Sequence, residues 1–219
     1  MLRRLVVAVT TAAVVTACAA SESMPKSEAK NMSHMHMGHV LTSWQDTPEK
    51  KGLLPIARAE AEIAITHAGL AAKKPGDLAW MQMHTKHVLH AVDASKIKTG
   101  PGLGYGVRKA AQGVVKHINL AANSADASDN VKQHAVHVSA SANNTDKRAA
   151  EMVKLVDKIL QAQTAGQAVA YVSRMNEVAQ QLIDGEDANG DGQITWHEGE
   201  GGLAVVEKHM AAMAKAEGM

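Results

Sequence analysis

A chain of 219 residues that sets 23 Lys and Arg against 22 Asp and Glu, for a formal net charge of +1, has no electrostatic excess with which to hold a polyanion, so no nucleic-acid partner is expected. Its apolar content is mostly Ala, Val, Leu and Met, with no Phe, three Trp and two Tyr, which favours closely packed helices over a β-sandwich. A single cysteine leaves no disulfide framework to infer.

The first elements are export signals. Arg3 and Arg4 precede an uncharged apolar run from Leu5 to Ala17, the layout of a signal peptide over residues 1–17. That run falls short of the roughly 20 apolar residues a membrane-spanning helix needs. It ends in Val15-Thr16-Ala17-Cys18, which resembles the lipobox of bacterial lipoproteins. The resemblance implies that Cys18 is diacylated and anchors the protein to a membrane. Ala19, where an Asp could stand, implies the periplasmic face of the outer membrane in a Gram-negative cell.

Residues 18–52 are polar and without evident periodicity, and are read as a flexible tether. Within it, His34-Met35-His36-Met37-Gly38-His39 alternates imidazole and thioether groups. That pattern suits copper, with Met favouring the reduced ion, and makes His34, His36 and His39 candidate ligands.

A helical bundle is predicted over residues 53–165. Pro55 can occupy a first helical turn, and apolar positions recur at helical spacing from Ile56 to Ala72. Asp77 is placed to cap a second helix running to about Ser95. The glycine-rich stretch from Thr99 to Gly106 lacks the ending of a phosphate-binding loop and is read as a connector. A third helix spans about Val107 to Ala122, and a long fourth runs from about Ala127 to Gln163, with Asn143-Asn144 as the place for a kink. Residues 166–219 supply two more helices, Gly166 to Ile183 and Leu203 to Lys215, around a polar loop. The fold class expected is all-α, an antiparallel helical bundle ending in a helix-loop-helix.

That loop, Asp187 to Glu198, reads DANGDGQITWHE and resembles the calcium loop of the EF-hand family. The resemblance implies calcium bound by Asp187, Asn189, Asp191, the Gln193 carbonyl, Thr195 through water, and Glu198 through both carboxylate oxygens, with Gly192 providing the sharp turn. It implies no reaction.

Twelve histidines are a high count. At about 100° per residue, His84 falls on the apolar face of the second helix with His87 at its edge. His134 shares a stripe with Val131 and Val138, and His137 lies beside it. His67 and Glu60 enter the apolar stripe of the first helix, and His117 borders that of the third. Buried polar groups need partners, so Glu60, His67, His84, His87, His117, His134 and His137 form a candidate site for copper, zinc, nickel, iron or haem. The absence of CxxCH excludes covalent haem attachment of the c type.

No nucleophile elbow, HExxH or dinucleotide loop is present. The leading expectation is a non-enzymatic calcium-binding, lipid-anchored envelope protein that also binds a transition metal. The alternatives are a redox or metalloenzyme with a His/Glu centre and a structural, partner-binding lipoprotein. Ferritin-like Glu-x-x-His pairs are absent from the bundle helices, which weighs against the enzyme.

Overall fold

The computed structural model describes residues 32–219; the signal segment 1–17 and Cys18 lie outside the described residues. The described chain is all-helical: α1 (Met32–Leu41), α2 (Leu53–Ala72), α3 (Leu78–Val92), α4 (Val107–Asn123), α5 (Asp129–Gln161), α6 (Ala165–Gln181) and α7 (Leu203–Ala216). None of these helices is long and apolar enough to cross a membrane.

Local chemistry sets the helix ends. Asp77 accepts a hydrogen bond from the Trp80 amide at 2.9 Å and starts α3, Ser128 accepts from the Val131 amide at 3.1 Å and starts α5, and Thr164 with Gln167 forms a capping box at α6. The buried face of α2 is an alanine seam, Ala57, Ala61, Ala64, Ala68 and Ala71, all with no exposed surface. Alternating steps of four and three keep the seam on one side of the helix. Small side chains there let neighbouring axes approach to about 8 Å.

The long α5 is the spine, packing against α3, α4, α6 and α7, while α1 lies on α4 and α2 on α3. Helix α5 runs continuously through Asn143-Asn144, where a kink was the expectation. Asn144 is instead a dock. Its amide donates to the His197 carbonyl at 2.7 Å and its carbonyl oxygen accepts from the Gly199 amide at 3.0 Å, fixing the loop before α7 to the spine.

The largest departure from the sequence reading is α1. Residues 32–41, assigned to a tether, form a helix whose Ser33, Met37 and Val40 are buried. Their spacing of four and three places them on one face. The alternating His and Met residues around them hide that stripe.

Candidate metal centres

Nine of the twelve histidines gather into three triads, each with three ring nitrogens within 4.8 Å of one another. In the first, His117 of α4 stands between His36 and His39 of α1, with Nδ1 to Nδ1 separations of 3.2 Å to each. The second joins His67 of α2 to His84 and His87 of α3 at 3.0 and 3.3 Å. In the third, His209 of α7 meets His134 and His137 of α5 at 3.0 and 3.3 Å.

One construction is used three times. Two histidines three apart on one helix project from the same face, and a single histidine on a packed neighbour completes the set. All six short separations run between Nδ1 atoms. Two nitrogens bound to one ion at about 2.0 Å are about 3.3 Å apart in tetrahedral geometry. The triads therefore have the dimensions of a coordination sphere.

Burial favours the neutral form of seven of the nine rings. Burial lowers the pKa of His117 and of His209 to about 4, with neighbouring imidazoles adding to the effect. Burial likewise lowers His36, His39, His67, His84 and His137. A neutral imidazole is the form that binds a metal, so these shifts favour the ligand form. Open depressions of about 360 and 440 Å³ reach His39 and Trp44 at the first triad and Met83 and His87 at the second.

The seven residues grouped as one centre by sequence are thus divided. His67, His84 and His87 meet, but His117 belongs with His36 and His39, and His134 and His137 belong with His209. His209 was not among the predicted ligands. The repeated HxxH spacing at 36/39, 84/87 and 134/137 is the signal that marks six of the nine. His34 turns away from the first triad to pair with Glu217 at 3.1 Å.

Glu60 is not at a metal centre. Fully buried, it accepts hydrogen bonds from the amides of Leu103 at 3.1 Å, Tyr105 at 3.0 Å and Gly106 at 2.9 Å, and so pins the glycine-rich connector. A side chain at Gly102 would collide with this carboxylate and with His90, and Gly106 has a φ of 86°. Glu60→Gln leaves a buried amide facing a backbone donor. The expected loss is about 2 kcal/mol in denaturant unfolding, with an unchanged metal count; a changed count would return Glu60 to the ligands.

At the C-terminal loop, Asp187 accepts from the amides of Gly190 at 2.8 Å, Asp191 at 3.1 Å and Gly192 at 2.8 Å, and Gly192 takes a φ of 84°. Glu198 is exposed and pairs with Lys147 at 2.5 Å. The carboxylate turned into the loop belongs to Glu200, which is 1% exposed and accepts from Asn189 at 2.7 Å and from the Thr195 amide and hydroxyl at 3.0 and 2.6 Å. Gly199, with a φ of 85°, makes the turn that exchanges the two acids. Gln193 and Thr195 keep their places in the loop, the Gln193 amide donating to Asp191 at 2.8 Å.

No protein-family model, no curated protein and no solved structure matches this chain. Its function is therefore read from the three triads and the loop.

Proposed function

We propose that this protein is a non-enzymatic transition-metal-binding protein of the cell envelope, holding one ion at each of its three histidine triads and calcium at its C-terminal loop. The observation that carries the reading is the repetition of one ligand geometry at three helix pairs, each built on HxxH followed by a fully buried valine, Val40, Val88 or Val138. Satisfied core histidines bond to backbone carbonyls or waters. Three groups of three, each turning the same ring atom inward, are better explained by an ion that satisfies all three at once.

The enzyme reading loses its support with Glu60. Among the described residues no carboxylate hydrogen-bonds to any of the nine imidazoles, so none is placed there as a base. Nitrogens 3.0–3.3 Å apart suit a bare ion rather than a porphyrin, which binds axial ligands on opposite faces. At the loop, Asp187, Asn189, Asp191, the Gln193 carbonyl and Thr195 remain the calcium ligands of this reading, with Glu200 offered in the place first given to Glu198. Export and anchoring through Cys18 complete it and account for calcium being at hand outside the cytoplasm.

The test is metal analysis of untagged protein, stripped with a chelator and then dialysed separately against copper, zinc and nickel in the presence of calcium. Three transition-metal ions and one calcium per chain are expected. His67→Ala, His117→Ala and His209→Ala should each remove one transition-metal ion and leave two. Fewer than one tightly held ion per wild-type chain refutes the reading.

A further inference from the structure

The three triads share a feature beyond their histidines, and its meaning rests on their being metal centres. Each has an indole packed on its ligands. The Trp44 ring lies 4.6 Å from that of His39 and 4.4 Å from that of His117. Trp80 lies 4.5 Å from His84, and Trp196 stacks on His137 at 4.4 Å with an interplanar angle of 21°. These are the only tryptophans in the chain, and there is no phenylalanine at all. They arrive from unrelated settings: the turn after α1, the first turn of α3 and the loop before α7. A side chain used three times, and each time against a histidine triad, has a common task there.

We propose that the three centres are built for monovalent copper, held by three imidazole nitrogens, with an indole closing the side from which a fourth ligand would come. Ligand number is the first argument. Zinc in closed sites takes four ligands, and with three histidines it keeps a fourth position for water. An aromatic wall removes that position. Monovalent copper is soft and stable with three ligands, and a cation beside an indole face gains from the ring quadrupole.

Charge is the second argument. No carboxylate hydrogen-bonds to the nine imidazoles among the described residues, although a carboxylate is one of the usual acceptors for the second ring N–H of a metal-bound histidine. The outer nitrogen of His84, Nε2, is buried without a partner. Lys74, Lys116 and Lys208 stand near His84, His117 and His209. Asp46 and Asp126 face the first triad, but Asp46 is engaged by Tyr105 and Lys109, and Asp126 by the Ser33 amide. The cost of burying an ion grows as the square of its charge. An uncompensated site of this kind penalises a dication far more than a monocation.

The experiment is an anaerobic titration of the full exported chain with monovalent copper, in competition with a chromophoric copper(I) chelator, beside a zinc titration. Three copper ions per chain are expected, with indole emission quenched in proportion to loading. Trp44→Leu, Trp80→Leu and Trp196→Leu should each weaken one of the three copper sites about tenfold and leave zinc affinity unchanged or raised, with helicity checked by circular dichroism. X-ray absorption of the copper-loaded wild type, which depends on no variant, should give three nitrogen ligands at about 2.0 Å. If zinc fills three histidine-dependent sites while copper does not bind, is four-coordinate or ignores the indoles, the copper assignment falls and the three-centre reading stands. If neither ion binds, both fall.

Discussion

Acidifying the metal-free protein from pH 7 to pH 4 is expected to remove several kcal/mol of stability. His117 and His209 have pKa values of about 4 in the folded chain against an ordinary 6.5. Between those values the unfolded chain binds more protons than the folded one, so stability rises with pH across this window. Their contribution is complete above about pH 6.5 and is lost as pH falls toward 4. Each pKa unit corresponds to about 1.4 kcal/mol. With allowance for solvent screening, the effect is on the order of 2 kcal/mol at the buried His117 and less at the half-buried His209. The other lowered histidines add in the same direction. Urea denaturation at a series of pH values checks it, with His117→Gln as control. That variant should be flatter between pH 6.5 and 4, and a slope equal to that of the wild type would show that carboxylates elsewhere carry the effect.

The second large effect lies at Arg148. This guanidinium on α5 is 6% exposed and donates to three successive carbonyls of the loop, those of Gly199, Glu200 and Gly201. Charged hydrogen bonds of this kind contribute about 1.5–3 kcal/mol each, and deleting the donor strands buried acceptors. Arg148→Met should therefore cost at least about 3 kcal/mol. The same loop carries Trp196 onto His137 and Glu200 into the candidate calcium site. Loosening it should lower metal affinity at the triad of His134, His137 and His209 and leave the other two triads unaffected. Denaturant midpoints and site-resolved titration read both consequences. A variant that unfolds at the wild-type midpoint would remove Arg148 from this role.

Most of the helical frame was legible because its signals are local. Helices expected over 107–122 and 203–215 are observed over 107–123 and 203–216, each starting directly after a glycine-rich segment. Helix α1 was not legible, since its buried face is only Ser33, Met37 and Val40 among half-buried His and exposed Met. For the site, the divide falls between spacing along a helix and height between helices. The pairs 36/39, 84/87 and 134/137 stand in the sequence as HxxH. Their partners His67, His117 and His209 do not, because which turn of one helix faces which turn of another is decided by packing. The loop shows the same divide. An oxygen-rich turn could be read from Asp187, Asn189 and Asp191, but the positive φ at Gly199 that brings Glu200 inward, in place of Glu198, is a property of the folded backbone.

The distribution of the triads has a consequence for how the molecule opens. They join α1 to α4, α2 to α3 and α5 to α7, so six of the seven described helices are paired through imidazoles and α6 is left out. Ions bound at these positions would turn three helix couples into cross-linked units, each of which would have to release its ion before its members separate. Helix α6, held by apolar packing, its caps and the Arg174–Glu151 ion pair to α5, would keep the same freedom to open whether the sites are filled or empty. Amide exchange should therefore slow on loading in the paired helices, with α6 becoming the weakest element of the filled protein.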